Sequence, residues 1–373
     1  MSSSKSRGPV WFLARVAVFL LVFGVAAEVW FRTVMPASET PFSYQREPAT
    51  MYRFDPRQST AGLFTHGRLC RPGGEWRVND AGWNSAVEYV STEERQEPMI
   101  ALLGDSFIEG YYTDVDEHVD AYLPSLLPGT ASYAFGISGW YLEQYVAASR
   151  YAEERFQPDV LVVFLGIADV SDSVRENGMP SPYWWQIGAR GESFEELPPE
   201  DAYTLSPKLA LAKRSALFRY LRYNAKLSLP GQGDAVVEQP ATEAEAATQD
   251  DAASTEESAE DEWRSLRRAA DFMVERLCTQ HPGTPVVFAV KGDRYLRTED
   301  IASIPLPAEG RAVRAACAGR PQCSVLDLRY AFSRDWATNG IEFEAADGAH
   351  WNARANLVVA RAIADHIRRN GLL

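Results

Sequence analysis

The feature that most constrains the fold is a series of short apolar runs, each too short for a helix. Asp159–Leu165 (DVLVVFL) is rich in β-branched residues and apolar on both faces after its first residue. A strand with one wet face would alternate, so this run must be covered on both sides, as central parallel strands are. Pro98–Leu103 (PMIALL), Ser132–Phe135, Pro285–Val290 (PVVFAV) and Ser324–Leu328 (SVLDL) repeat the signal. Helical segments lie between them. Trp140–Arg155 is one, and Asn352–Arg369 closes the chain with Leu357, Ala360, Ile363 and Ile367 on one face. Alternating strands and helices predict an α/β, three-layer, doubly wound parallel sheet over residues 98–373.

Two insertions interrupt the alternation. Residues 170–230 carry the cluster Tyr183-Trp184-Trp185 and end in a basic, aromatic helix around Lys208–Lys226. Residues 231–262 are rich in Ala, Glu, Asp, Thr and Gln. With few apolar anchors they cannot offset the entropy of ordering, and they read as disordered.

Ahead of the sheet, Trp11–Phe31 is apolar except for Arg15 and Glu28. At ~1.5 Å per residue it spans about 30 Å, the thickness of a bilayer core. Lys5, Arg7 and Arg15 place residues 1–10 in the cytoplasm and send the rest of the chain across. Residues 11–31 read as an uncleaved transmembrane signal-anchor, with Arg15 snorkelling and Trp30 and Phe31 at the interface. The alternative is a signal peptide cleaved after Val25-Ala26-Ala27. Either way the bulk is extracytoplasmic, in the periplasm or at the cell surface. Residues 32–97 are stalk and lead-in. Pro36, Pro41, Pro48 and Pro56 mark residues 33–60 as an extended juxtamembrane stalk, and Arg77-Val78-Asn79 and Gly82-Trp83 belong to the lead-in.

The formal net charge is −14, yet 11 of the acidic residues fall between Lys226 and Arg264 with no basic residue among them. Removing those 11 charges from −14 leaves −3. The folded part is nearly neutral and lacks a Lys/Arg run, which excludes nucleic acid as a natural partner. Four cysteines suit an oxidising compartment. Cys317 and Cys323 are close enough to form a small loop, which would leave Cys70 and Cys278 as a long-range pair. Four cysteines allow three connectivities, and four free thiols is the other reading. No Cys/His spacing resembles a zinc site, and no metal or cofactor is expected.

The first strand runs into Gly104-Asp105-Ser106-Phe107. A serine there, opening a helix, stands where α/β sheets place their active sites. The helix start offers unpaired N–H groups and a partial positive charge to an oxyanion. Position alone is also consistent with a simple N-cap. A nucleophilic serine needs a base, and the base needs an orienting acceptor. Asp347-Gly348-Ala349-His350, just before the last helix, supplies both. The last strand–helix loop of a doubly wound sheet lies on the same edge as the first, so His350 can reach Ser106. His66, His118, His281 and His366 show no partner that suggests a role and read as surface or satisfied residues.

Gly104-Asp105-Ser106, Gly136-Ile137-Ser138-Gly139 after the second strand, and Asp347-x-x-His350 resemble, in order, blocks of the SGNH/GDSL hydrolases. The lead-in with Asn79 and Gly82-Trp83 resembles that of membrane-anchored, cell-envelope SGNH proteins of bacteria. The resemblance covers roughly residues 98–170 and 285–370. It implies a flavodoxin-like fold in which Ser106 is the nucleophile, His350 the base and Asp347 its partner. The backbone N–H groups of Ser106 and Gly139 would form the oxyanion hole. One block departs: where the family has Gly-x-Asn-Asp, this chain has Gly166-Ile167-Ala168-Asp169. The Asn side-chain donor is missing, and a loss of this kind typically costs about 10²–10³ in rate. A hydroxyl of Ser171 or Ser173 is the candidate replacement.

Trp140 and Tyr141 follow the second strand on the edge of Ser106 and are the candidate substrate-stacking residues. Tyr183, Trp184 and Trp185 follow the third, and the alternative for all five aromatics is that they pack the insertion onto the domain. The reading is an extracytoplasmic serine esterase that cleaves or transfers acyl or acetyl esters, with envelope carbohydrate as the substrate class implied by the resemblance. The competing reading, prompted by Ala168, is a catalytically impaired binding or assembly protein of the envelope on the same fold.

Overall fold

The computed structural model describes residues 8–41, 43–45, 52–56, 61–177, 182–191, 193–200, 206–227 and 256–373. Among the described residues, four short strands precede the main sheet. β1 (Ser43–Gln45) pairs with β2 (Tyr52–Phe54), and β3 (Ala61–His66) pairs with β4 (Arg71–Arg77), both antiparallel. The main sheet comprises β5 (Met99–Gly104), β6 (Ala131–Gly136), β7 (Val160–Leu165), β10 (Val286–Val290) and β11 (Cys323–Asp327), all parallel. Between β7 and β10 the insertion forms a hairpin of β8 (Gln186–Arg190) and β9 (Ser193–Leu197). Each strand of the main sheet lies within one residue of a predicted apolar run.

The order across the sheet is β11-β10-β7-β5-β6. In chain order that is 2-1-3-4-5, the flavodoxin-like arrangement, whose direction of winding reverses between its first and third strands. Ser106 follows the first.

The two-residue period of the strands divides their side chains between two layers. Ile100, Leu102, Val160, Val162, Phe164, Val287 and Ala289 face one core. Met99, Ala101, Leu103, Leu161, Val163, Leu165, Val286, Phe288 and Val290 face the other. All of these residues are essentially inaccessible. The helices are α1 (Gly8–Thr33), α2 (Ser106–Glu109), α3 (Val119–Leu126), α4 (Leu142–Phe156), α5 (Pro207–Ala212), α6 (Ala216–Arg219), α7 (Glu256–Gln280), α8 (Thr298–Ile301), α9 (Ala308–Cys317), α10 (Arg329–Asn339) and α11 (Ala353–Asn370). α3, α10 and α11 cover the first core through Leu123, Phe332, Val359 and Ile363. α4, α7 and α9 cover the second through Tyr145, Met273, Leu277 and Val313. Burying a Val- or Leu-sized side chain contributes ~1.5–3 kcal/mol, so a β7 that is wholly buried on both faces holds the layers together.

Val10–Thr33 is long and apolar enough to cross a membrane. Its last turn is docked rather than tethered. The Glu28 carboxylate accepts hydrogen bonds from Ser215 Oγ (2.8 Å) and from the N–H groups of Ala216 (2.9 Å) and Leu217 (3.0 Å), capping α6. Phe31 stacks on Tyr220 with ring centroids 3.8 Å apart.

Three expectations are corrected. The stalk is not extended between Pro36 and Pro41. Ala37 and Ser38 are buried, the Ser38 N–H donates to Asn224 Oδ1 (2.9 Å), and the Trp76 indole donates to the Glu39 carbonyl (2.8 Å). Proline sets φ but does not keep a chain off an apolar surface, and the β3–β4 hairpin supplies one with Phe64 and Trp76. Pro48 lies outside the described residues.

The acidic segment is helical from Glu256 onward, because 256–262 are the opening turns of α7, whose later face is buried. Acidic side chains are favoured at a helix N-terminus. Residues 231–255 lie outside the described residues.

Cys317 and Cys323 form a disulfide, but Cys70 and Cys278 are both free. Cys70 is in the β3–β4 turn and Cys278 near the end of α7, so the long-range pair is not made.

Candidate active site

The switch point is built from the ends of β5, β6, β7 and β10. β5 ends at Gly104, where a Cβ would lie 2.5 Å from the Ile108 side chain, so the tight turn into α2 needs glycine. Gly136 is similarly constrained, since a Cβ there would lie 2.7 Å from the Glu109 nitrogen. These two glycines let α2 settle onto the strand ends. Asp105 caps the helix, with Oδ1 accepting from the Phe107 N–H at 3.0 Å. Ser106 opens it.

The far loop delivers the base. Ser106 Oγ and His350 Nε2 are 2.7 Å apart, and His350 Nδ1 and Asp347 Oδ2 are 2.5 Å apart. Asp347 Oδ1 also accepts from the N–H groups of Ala349 and His350, both at 3.1 Å. Burial works against ionising Asp347, but its hydrogen bonds from His350 and the two N–H groups outweigh it and hold the carboxyl below its ordinary value. A carboxylate fixed in this way orients the imidazole with Nε2 toward the serine. Two further contacts brace the loop. Arg294 donates to the Ala349 carbonyl (2.9 Å), and Asn352 caps α11 through the Ala355 N–H (3.0 Å). The three residues expected as a triad are thus brought together.

Gly139 sits in the loop after β6 with φ of 79°, and a Cβ on it would lie 3.4 Å from the Trp184 ring. The loop is tied to α2, because the Ser138 N–H donates to Glu109 Oε2 at 3.0 Å and the Ser138 hydroxyl donates to the same oxygen. Among the described residues, neither the Ser106 nor the Gly139 N–H has an intramolecular acceptor.

Among the described residues after β7, the two hydroxyls expected to replace the missing Asn are both engaged elsewhere. Ser171 Oγ donates to the Ala168 carbonyl (3.1 Å) and Ser173 Oγ to the Asp169 carbonyl (2.7 Å). Both hydroxyls are spent inside the loop, as short polar side chains often are. Asp169 is buried, and its Oδ2 accepts from the Gly166 N–H (2.7 Å) and the Tyr145 hydroxyl (3.2 Å). Burial, then the neighbouring Asp105 charge, push its carboxyl well above the ordinary range, against the pull of Lys291.

Trp140 is not available to a substrate. It is 1% exposed and packs edge-on against Trp83 at 6.0 Å. Burying an indole contributes more than exposing it at a rim, and the lead-in's Trp83 provides the partner. Tyr141 is half-buried, edge-on to Trp184 at 5.8 Å. Trp184 is buried, and Trp185 stacks with Arg150.

Sequence reasoning missed several neighbours. Tyr112 lies against His350, and Phe107 is 4.9 Å from the same ring. His66, half-buried on β3, has its ring 6.4 Å from Tyr112, and burial lowers its pKa although the Asp347 charge opposes this. His281 pairs with Glu153 (3.0 Å) and His366 with Ser324 (3.0 Å), so each has a partner distant from it in sequence. Lys291 binds Asp105 Oδ2 at 2.9 Å. A charged residue directly after the fourth strand was the signal for it in the sequence.

Fold and site together define an α/β protein with an assembled serine–histidine–aspartate triad at the switch point of a five-stranded parallel sheet. In fold and in the placing of its motifs it resembles the SGNH/GDSL hydrolases. Similar solved structures include three enzymes. One is LAE5, an α/β hydrolase from the metagenome of Lake Arreo, at 14% identity over 76% of this chain and 99% of that one, with a TM-score of 0.36. Another is a carbohydrate esterase family 2 enzyme with a carbohydrate-binding domain from Corynascus thermopiles, at 12% identity over 76% and 69%, with a TM-score of 0.37. The third is an acetyl xylan esterase from Butyrivibrio proteoclasticus, at 11% identity over 74% and 65%, with a TM-score of 0.37. No family model and no curated protein matches the chain.

Proposed function

We propose that the protein is a membrane-anchored serine esterase of SGNH type that cleaves or transfers acyl or acetyl esters on the extracytoplasmic side. The observation that carries this reading is the relay from Ser106 Oγ through His350 to Asp347, with contacts of 2.7 and 2.5 Å. Ser106 Oγ attacks the ester carbonyl while His350 Nε2 takes its proton. The developing oxyanion is held by the N–H groups of Ser106 and Gly139. His350 returns the proton to the leaving alcohol, and an acyl-enzyme remains. Water, or a sugar hydroxyl, then attacks it with His350 again as base. Half-buried Tyr141 is the aromatic left beside this loop for a sugar ring, which favours acetylated envelope carbohydrate as the substrate class. Lys5, Arg7 and Arg15 set the orientation of the anchor, and the Cys317–Cys323 disulfide fits an oxidising compartment.

The second reading, a binding or assembly protein with impaired chemistry, draws on Ala168, which leaves two backbone donors where the family pattern has three. One experiment decides between them. The full chain in detergent is given acetyl esters and, separately, an organophosphonate probe, with Ser106→Ala as control. Turnover and labelling that vanish in Ser106→Ala support the esterase. A parent chain that neither turns over nor reacts supports the binding protein.

A further inference from the structure

We propose that Lys291 is a positioning residue for the nucleophile, acting through Asp105; this rests on the esterase reading above. Lys291 follows β10 directly, and its N–H donates to the Leu165 carbonyl at the end of β7 (3.0 Å). That bond sets its side chain among three loops. Nζ is 2.9 Å from Asp105 Oδ2 and stands 3.7 Å from the centroid of the Phe107 ring. It also reaches the third-block loop, since a Cβ on Gly166 would lie 3.3 Å from Nζ and 3.1 Å from Asp169 Oδ1. Ser106 therefore stands between two residues, Asp105 and Phe107, that one buried ammonium holds from both sides.

The two oxygens of Asp105 divide the work. Oδ2 is held by Lys291, and Oδ1 accepts from the Phe107 N–H at 3.0 Å. An N-cap works only in the rotamer that points its oxygen at the helix N–H groups, and the ammonium fixes that rotamer. With the Phe107 N–H taken by Asp105, the Ser106 N–H is the open donor of the first turn. Phe107 carries the same constraint outward, because its ring faces the ammonium on one side and lies 4.9 Å from His350 on another. Cation–π contact and ion pair are both strengthened by burial. A purely structural ion pair would tie the loops together equally well, so the test must read the reactivity of Ser106 as well as stability.

The test measures the rate of Ser106 labelling by an organophosphonate, and kcat and KM on an acetyl ester, in the full chain in detergent. Melting is followed alongside. Lys291→Met is expected to slow labelling and kcat by about 10²-fold with KM unchanged, as small misplacements of reacting groups do. Asp105→Asn keeps an oxygen for the cap but loses the charge, and is expected to fall comparably. The double variant is expected to be no slower than the worse single one, because both changes break one linkage. Lys291→Arg, which keeps the cation, is expected to recover part of the rate. If Lys291→Met does not fold, Asp105→Asn and Lys291→Arg carry the same comparison. Lys291→Met at the parental labelling rate overturns the proposal, as does a double variant whose loss is the product of the two single losses. A parent chain that is not labelled at all overturns the esterase reading itself, a result distinct from either of these.

Discussion

Tyr112 lies flat on His350, with ring centroids 3.8 Å apart and planes 7° from parallel. The tyrosine is buried and comes from the turn after α2, so the helix that carries the nucleophile also delivers the plate against which the base rests. The contact is made by the ring. Tyr112→Phe is therefore expected to keep near-parental turnover of an acetyl ester, and Tyr112→Leu to lose about tenfold, or ~1.4 kcal/mol of barrier. Equal rates for Leu and the parent would show that Asp347 alone orients the imidazole.

Ala168 lacks the side-chain donor of the motif, and the nearby hydroxyls of Ser171 and Ser173 are committed to carbonyls of their own loop. Ala168→Asn is expected to raise kcat by up to about 10²-fold, with about tenfold the smallest increase that supports the assignment. Steady-state turnover with Ser106→Ala as the blank measures it. A flat rate would place the third donor elsewhere.

Glu109 is buried, and burial, aided by the Asp105 charge, pushes its carboxyl up to about 8 against the hydrogen bonds from Ser138. A carboxyl raised in the folded state favours folding while it is protonated. Its contribution is complete below the unfolded value near 4.5 and is lost as pH rises through about 8. Glu109→Gln removes the titration. The variant is expected to melt above the parent at pH 8–9, with the gap closing toward pH 4–5. Thermal melts across that range check it, and a gap independent of pH would show that Glu109 does not titrate there.

Residues 231–255 are acidic and poor in apolar anchors, and α7 starts at Glu256. Replacing them with a short Gly/Ser linker is expected to leave the melting temperature and the Ser106 labelling rate unchanged. A fall in either would assign the segment a packed or functional role.

Much of this protein was legible from local pattern. Burial on both faces leaves its mark within one strand, so runs such as Asp159–Leu165 announced the parallel sheet, and the chain order of the blocks put Ser106, Asp347 and His350 on one edge. The closeness of Cys317 and Cys323 in the chain made a small loop one of several readings, and the structure selects it. What the sequence could not settle depends on partners distant in the chain. Trp140 became core because Trp83 meets it, 57 positions earlier in the numbering. The Pro36–Pro41 stretch became packed because Asn224, Thr65 and Trp76 were there to receive it. Cys70 and Cys278 are both free, one in the β3–β4 turn and the other near the end of α7. Tyr112 on His350 and Lys291 on Asp105 are contacts of the same kind. Periodicity records which face of an element is buried, but not against which residue, and only the closed tertiary structure decides that.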